Sequence, residues 1–191
     1  MKLILASSSP RRAEILCGAG FHFDVVSSAI DETPLPAESP AALVERLATA
    51  KAELAASHFS SPAIILAADT VVTLDGHLFG KPRSIDDARH MLQILSGRTH
   101  SVLTGVTLIR LPDAERRSFV ESTLVHFAQL TDDDITRYLA TGEPKDKAGA
   151  YAIQGRAGRY IPRIEGDYFN VVGLPLARVT QALADLGYSE D

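Results

Sequence analysis

The pattern of apolar and polar positions changes in kind along the chain. Early on, short apolar runs at residues 3–6 and 23–27 alternate with helical patterns, the longest of which covers residues 40–57. This alternation is typical of βαβ units and a parallel sheet. Later, residues 99–110 and 118–128 alternate apolar with polar side chains, which favours a long antiparallel pair of strands. The sequence therefore predicts an α/β fold with a mixed central sheet flanked by helices.

Start and stop signals for individual elements support this order. Ser9 followed by Pro10 is typical of the first residues of a helix. The pair Asp75-Gly76 predicts a turn after an apolar strand, and capping patterns that begin at Ser84 and Thr131 predict two more helices. The remaining signals predict two short strands and a final helix, around residues 151–154, 160–164 and 175–186.

Composition narrows the class of protein. The chain has 191 residues, 46% of them apolar and 23% charged, so we expect a single domain over residues 1–191 with no clean linker. The one cysteine, Cys17, excludes a disulfide framework and a cysteine-based zinc site. A formal net charge of −5 disfavours a nucleic-acid polymer as partner. With no long apolar run and no signal peptide, we expect no membrane contact and a cytoplasmic location.

The first candidate site is a cluster of donors between the first strand and the first helix. Its residues are Ser7-Ser8-Ser9-Pro10-Arg11-Arg12. A helix N-terminus presents unpaired N–H groups and the positive end of the helix dipole, so three hydroxyls and two guanidiniums there predict a phosphate-binding site. The alternative is a simple Ser9 cap beside two solvated arginines. We favour the anion site because a cap needs only one hydroxyl.

Two charged residues interrupt apolar patterns later in the chain. Lys51 projects from within the apolar arc of the helix at residues 40–57, where its ammonium either snorkels to water or serves a site. Asp69 lies inside a continuous β-favouring run, and a carboxylate buried there needs a cationic partner, which is a lysine, an arginine or a metal ion. We interpret Asp69 as a base that activates water, with a structural ion pair as the alternative.

Three further polar residues are weaker candidates when each is considered alone. Lys81 follows Gly80 on a tight turn, where a lysine is usually solvated surface. Glu32 lies in an acidic, proline-rich loop and is a metal-ligand candidate only in company with other carboxylates. Gln154 interrupts a small, apolar segment, and its amide pairs either with the edge of a nucleobase or with nearby backbone.

Taken together, these residues resemble one family closely, the Maf nucleoside triphosphate pyrophosphatases. The matching motifs run in order from residue 3 to about residue 180: the opening Leu3-Ile4-Leu5-Ala6-Ser7-Ser8-Ser9-Pro10-Arg11-Arg12, Glu32, Lys51, Ala68-Asp69-Thr70, Gly80-Lys81-Pro82, Tyr151-Ala152-Ile153-Gln154-Gly155 and the segment at residues 166–175. The resemblance implies an elongated α/β fold with two lobes and a cleft between them. It also implies hydrolysis of a nucleoside triphosphate between the α and β phosphates, which yields a monophosphate and pyrophosphate.

The resemblance also implies a role for each matching residue. Asp69 occupies the position of the proton acceptor, and Glu32 helps it to place a divalent cation, Mg²⁺ or Mn²⁺. The phosphate-binding positions are Ser8, Arg11, Lys51 and Lys81, and the positions that distinguish the dTTP/UTP-hydrolysing subgroup are Arg12, Thr70 and Gln154. The implied partner is a small nucleoside triphosphate, and the implied role is the removal of surplus or modified nucleotides.

The alternative function is a nucleotide-binding regulator of cell division that hydrolyses little. The same lysines and arginines would serve binding alone. Asp69 discriminates between the two hypotheses, because a pure sensor gains nothing from a buried carboxylate beside a polyanion. A homodimer is the default expectation for the oligomeric state.

Overall fold

The computed structural model describes residues 1–189 and contains a seven-stranded sheet with helices packed around it. The strands are β1 (Lys2–Ala6), β2 (Asp24–Val26), β3 (Ala63–Leu74), β4 (His77–Phe79), β5 (Thr99–Leu111), β6 (Glu115–His126) and β7 (Arg163–Glu165). The helices are α1 (Pro10–Gly18), α2 (Pro40–Ala56), α3 (Ile85–Leu95), α4 (Asp132–Leu139), α5 (Tyr168–Val172) and α6 (Leu176–Asp185), with short 3₁₀ turns at Glu143–Asp146, Ala148–Ala150 and Arg156–Tyr160.

The sheet is mixed, as the alternation of strands and helices predicts. Its strand order is β2-β1-β3-β5-β6-β7, with β4 paired to β3 outside this path. β1 runs parallel to both β2 and β3, whereas β4 is antiparallel to β3 and β7 is antiparallel to β6. The predicted α/β class with a mixed, helix-flanked central sheet is therefore confirmed.

The chain divides into two compact units. The first contains residues 1–69 and 104–121 and the chain from Gly173 onward, and the second contains residues 70–103 and 122–172. One core of the first unit is built from small and branched side chains of β1, α2 and β3, among them Ile4, Ala52 and Ile65. The core of the second unit is larger and aromatic, and Phe127, Tyr138 and Tyr151 belong to it.

Helix α2 lies unusually close to the sheet in the first unit. Gly105 of β5 faces the backbone of α2, and a Cβ atom added at Gly105 would overlap the carbonyl group of Val44. Ser39 caps the helix by accepting a hydrogen bond from the Ala42 N–H at 3.2 Å. The close approach is possible only without a side chain at residue 105, and it places the face of α2 that carries Lys51 against β3.

Most predicted elements are present, and the differences lie where glycines are frequent. The predicted strand at residues 151–154 is wrong: the segment is a turn closed by a hydrogen bond from the Gly155 N–H to the Ala152 carbonyl at 3.1 Å. The strand predicted around residues 160–164 begins only at Arg163, because a 3₁₀ turn occupies the residues before it. In addition, the segment at residues 166–175 contains the short helix α5. Within residues 1–189, every helix is too short or too polar to cross a membrane.

Candidate active site

The donor-rich segment after β1 forms a compact, internally bonded turn. Ser9 stands at the N-cap of α1 in extended conformation, yet its side chain makes no capping hydrogen bond. Instead, the Ser7 hydroxyl accepts hydrogen bonds from the Ser9 N–H at 3.2 Å and from Nη1 of Arg12 at 3.0 Å. Ser8 between them is exposed. The predicted alternative of a simple Ser9 side-chain cap is therefore wrong.

Arg12 is the buried member of the arginine pair. Its Nε donates to the Gly173 carbonyl at 2.8 Å, so the guanidinium links α1 to the segment that precedes α6. Burial lowers the pKa of Arg12 and the Arg11 charge lowers it further, whereas the negative charges of Asp69 and Glu32 oppose the shift. These electrostatic influences show that Arg11, Asp69 and Glu32 all lie within Coulombic range of one buried guanidinium. Arg11 itself is half-buried and makes further contacts of its own.

Lys51 and Asp69 form a buried ion pair. Lys51 is 9% exposed and Asp69 is 8% exposed, and the Lys51 Nζ donates to Oδ1 of Asp69 at 2.6 Å. The predicted cationic partner of Asp69 is thus a lysine from the helix packed on its strand. The alternative, in which Lys51 snorkels to open solvent, is wrong because the ammonium is bonded to the buried Asp69 carboxylate.

A second carboxylate contacts the same ammonium. Oε1 of Glu32 lies 2.5 Å from the Lys51 Nζ, and the Glu32 side chain is 59% exposed. One positive charge therefore faces two negative charges, one buried and one open to solvent. A simple structural ion pair needs only one partner of each sign, whereas here Lys51 has two carboxylate partners and the buried Arg12 guanidinium lies within Coulombic range of both.

The loop that carries Glu32 is fastened to α2 by a residue that the sequence analysis does not single out. Arg46 donates from Nε to Oε1 of Glu38 at 2.6 Å and from Nη2 to Oε2 at 2.8 Å, a bidentate pair, and also from Nη2 to the Thr33 carbonyl at 3.2 Å. The Arg46 hydrogen bonds lower the pKa of Glu38 to about 2. Arg46 thus braces both ends of the segment that follows Glu32. No local sequence pattern indicates that an arginine at this position of a helix would hold a neighbouring loop.

The other candidates belong to the second unit. Thr70 follows Asp69 in β3 and is partly buried, and it makes further contacts of its own. Lys81 is exposed just after β4, on a turn whose Gly80 carbonyl accepts from the Gly149 N–H at 3.2 Å. Gln154 is exposed on the turn that replaces the predicted strand. The structure thus brings Arg12, Glu32, Lys51 and Asp69 together and places Thr70, Lys81 and Gln154 in the other unit.

The carboxylate pair fits a divalent cation by the chemistry of its donors. Mg²⁺ and Mn²⁺ prefer oxygen ligands, and Mg²⁺ is commonly held by one or two carboxylates together with substrate phosphates and water. Oδ1 of Asp69 and Oε1 of Glu32 already converge on one positive centre, the Lys51 ammonium. No group of three or more His, Cys, Asp or Glu side chains suited to a metal occurs within residues 1–189. Two carboxylates are therefore the only protein donors that this part of the described chain brings together for a cation.

Comparison with known proteins shows the family of this chain. Residues 2–186 match the family model described as Maf-like protein. A dTTP/UTP pyrophosphatase of Symbiobacterium thermophilum is 52% identical over 187 residues, which cover 98% of this chain and 95% of the relative. A protein of the same name from a Geobacillus species is 48% identical over 187 residues, covering 98% of this chain and 99% of the relative.

A solved structure shows the same fold at low sequence identity. A HAM1 protein from Coxiella burnetii superposes with a TM-score of 0.55 at 16% identity, covering 97% of this chain and 99% of the other. At that identity the likeness concerns the fold alone. The family model and the relatives cover nearly the whole sequence, and on that ground this chain belongs to the Maf family.

Proposed function

We propose that this protein hydrolyses dTTP and UTP between the α and β phosphates, yielding the nucleoside monophosphate and pyrophosphate. The observation that carries the proposal is the Lys51 ammonium, which contacts Asp69 at 2.6 Å and Glu32 at 2.5 Å. This arrangement brings together a buried carboxylate, an exposed carboxylate and a cation that can bind phosphate oxygens. The names of the relatives support the choice of substrate.

Asp69 serves in this proposal as the proton acceptor. The water oxygen forms a bond to phosphorus while the phosphoanhydride bond between the α and β phosphates breaks. The water proton passes to the Asp69 carboxylate, and pyrophosphate leaves with the electron pair of the broken bond. Burial between α2 and β3 fixes the carboxylate, so it needs little reorganisation during the reaction.

The cations of the chain hold the triphosphate. A triphosphate carries about four negative charges, and its hydrolysis depends on positioning and on charge stabilisation. The residues proposed to bind the phosphates are Ser8, Arg11, Lys51 and Lys81. Glu32 and Asp69 would hold a divalent cation, Mg²⁺ or Mn²⁺, which when bound neutralises charge on the phosphate oxygens. Arg46 keeps the loop that carries Glu32 in place.

Selectivity for pyrimidines is assigned to Arg12, Thr70 and Gln154. Arg12 is rigid, because its guanidinium is held by the Ser7 hydroxyl and the Gly173 carbonyl. Gln154 is exposed, and its amide offers both a donor and an acceptor to the edge of a base. The polar pattern of a base edge is what separates uracil and thymine from the purines.

The charges argue against a regulator that only binds nucleotide. Two carboxylates beside a bound polyanion weaken its binding, so a pure sensor would be better without them. A hydrolase uses the same carboxylates, one to accept a proton and both to hold a cation. No observation on the described residues favours the regulator.

The test is pyrophosphate release from dTTP, UTP, dGTP and dATP in Mg²⁺ or Mn²⁺, with the variant Asp69→Asn beside the wild type. We expect release from dTTP and UTP, a loss of at least about 100-fold in kcat for Asp69→Asn, and nearly unchanged nucleotide binding. Asp24→Asn is the matched control, because Asp24 is also a strand aspartate paired with a lysine, at 2.5 Å from Lys2, but is exposed. The control should retain wild-type activity.

Two results would contradict the proposal. Release of orthophosphate instead of pyrophosphate would place the cleavage at another bond. Tight nucleotide binding by a wild-type protein that releases neither product would support the regulator. Removal of divalent cations with EDTA should abolish turnover, and re-addition of Mg²⁺ or Mn²⁺ should restore it.

A further inference from the structure

The turn that carries Gln154 is short and is fastened at both ends. It is closed by the hydrogen bond from the Gly155 N–H to the Ala152 carbonyl at 3.1 Å. Gln154 stands next to Gly155 and is exposed, so packing of its own side chain does not fix its position. The contacts on either side of Gln154 therefore determine where its backbone lies and from which point its side chain extends.

The first fastening is the phenol of Tyr138. The Ala152 N–H donates to the Tyr138 hydroxyl at 3.2 Å, and that hydroxyl donates in turn to Oε1 of Glu143 at 2.8 Å. Tyr138 is buried at 3% exposure on α4. Burial, and after it the hydrogen bond to Glu143, raise the pKa of Tyr138 well above its ordinary value, so the phenol keeps the proton that it donates.

The second fastening is the other oxygen of the same carboxylate. Oε2 of Glu143 accepts from the Arg156 N–H at 3.0 Å. Both oxygens lie against Gly155, where an added Cβ would overlap the carboxylate of Glu143. The turn thus has a glycine at a position where a side chain would displace its anchor.

The anchor itself is rigidly supported. Glu143 follows the C-terminal end of α4 after Gly142, whose φ of 73° is left-handed and favours glycine. The Glu143 N–H donates to the Thr141 hydroxyl at 3.1 Å, and the same helix carries Tyr138 and begins with a capping box at Thr131 and Asp134. One helix and its C-terminal turn therefore hold the backbone on both sides of Gln154.

We infer that Tyr138 and Glu143 are positioning residues that set the selectivity of the enzyme by orienting Gln154. The inference rests on the proposed function, in which Gln154 contacts the base. A base edge is discriminated only when its hydrogen-bond partners are held within a fraction of an ångström. The two residues act through the backbone at residues 152 and 156, and neither needs to touch the substrate.

The experiment compares Tyr138→Phe and Glu143→Gln with Tyr160→Phe. Tyr160 is the matched control, since its ring lies 6.5 Å from that of Tyr138 but its hydroxyl donates to Asp134 rather than to the turn. We expect the ratio of kcat/KM for dTTP over dGTP to fall by up to about tenfold in the first two variants, the fold-change expected on losing one hydrogen bond between the neutral Gln154 amide and the base. The loss should appear mainly in the KM for dTTP, and Tyr160→Phe should keep the wild-type ratio.

Combination with Gln154→Ala shows whether the effect passes through Gln154. Gln154→Ala alone should lower the same ratio at least as far. Adding Tyr138→Phe or Glu143→Gln to it should then change the ratio less than twofold, because the residue that they orient is gone. Multiplicative losses would show that Tyr138 and Glu143 act elsewhere and would overturn the inference.

Amide hydrogen exchange supplies a readout that is independent of activity. The Ala152 and Arg156 N–H groups should exchange faster in Tyr138→Phe and Glu143→Gln than in Tyr160→Phe. Unchanged exchange, or an unchanged selectivity ratio in an active, folded variant, would overturn the inference while leaving the proposed function intact. If instead the wild type releases no pyrophosphate from any nucleotide, the proposed function fails, whatever the exchange shows.

Discussion

At the scale of single residues, the site depends on how one ammonium is shared. Lys51 neutralises Asp69 in a buried position and also contacts the exposed Glu32. Removing one member of a buried pair is costly, because the other charge is left without a partner or water. The same change on the surface costs little, since water replaces the lost partner.

This contrast predicts the stability of Lys51→Met. We expect the free energy of unfolding to fall by about 3 kcal/mol, because Asp69 becomes an unpaired buried charge. The double variant Lys51→Met/Asp69→Asn should regain part of that loss, since it buries no net charge. Lys2→Met is the control: it breaks the exposed pair with Asp24 and should cost less than about 1 kcal/mol. Urea denaturation monitored by circular dichroism measures the free energy of unfolding of all three variants. If Lys51→Met is as stable as Lys51→Met/Asp69→Asn, the expected cost of an unpaired buried charge is contradicted.

At the scale of elements, the register between α2 and the sheet decides whether Lys51 reaches Asp69. Gly105 allows the backbone of α2 to approach β5 at Val44. The Thr49 hydroxyl of the same helix lies 3.0 Å from that of Thr107, also on β5. These contacts hold the part of α2 from Val44 to Thr49 that leads up to Lys51, and any side chain at residue 105 must push the helix outward.

Gly105→Ala should therefore impair the site from a distance. The added methyl group meets backbone rather than a flexible side chain, so we expect a loss of about 2 kcal/mol in stability together with a several-fold fall in kcat. Gly18→Ala is the control, because an added Cβ there meets no atom within 4 Å. Thermal unfolding and pyrophosphate release measure the two effects. Wild-type activity in a destabilised Gly105→Ala protein would contradict the argument, because it would show that activity does not depend on how closely α2 packs on β5.

At the scale of the whole molecule, charge and buried titratable groups set the response to solution conditions. The net charge is −5, and the cations proposed to bind phosphate are few, namely Arg11, Lys51 and Lys81. His100, at 1% exposure, is buried in the second unit. Its Nε2 lies 2.7 Å from the Tyr151 hydroxyl, and its Nδ1 has no hydrogen-bond partner within residues 1–189. Burial, and to a smaller extent the charge of His126, lower the pKa of His100 to about 4.

The lowered pKa predicts acid lability of the folded state. At pH values between the ordinary pKa of 6.5 and the folded-state pKa of about 4, His100 is mostly protonated in the unfolded chain and mostly neutral in the folded chain. Because of this difference, neutral His100 lowers the free energy of unfolding as the pH falls below 6.5, by about 2 kcal/mol at pH 5 relative to neutral pH. Urea midpoints measured from pH 7.5 to pH 5 should fall less steeply for His100→Gln than for the wild type. Parallel slopes would show that other groups carry the pH dependence.

The sequence predicts the elements well where hydrophobic period and capping chemistry are local. The helices that begin at Pro10, Ile85 and Asp132 start where proline or the caps indicate. The part of β3 at residues 63–69 is buried on both faces, as its apolar run predicts. The segment at residues 151–154 is the exception. Its apolar composition resembles that of a strand, but its backbone groups bond to Tyr138 and within the turn, which no local pattern reveals.

For the site, the sequence by itself indicated two charged side chains, Lys51 and Asp69, that interrupt apolar patterns and need partners. An aspartate in an apolar strand and a lysine within an apolar helical arc each require a partner, because the surrounding apolar pattern predicts from the sequence alone that both side chains are buried. Only the tertiary structure decided that the two are partners and that Glu32 shares the ammonium. It also decided that Arg46 holds the segment after Glu32, and that Tyr138 and Glu143 hold the turn of Gln154 in the second unit. The physical reason is that burial leaves a periodic trace along the chain, whereas a hydrogen bond between distant residues depends on how helices and strands pack.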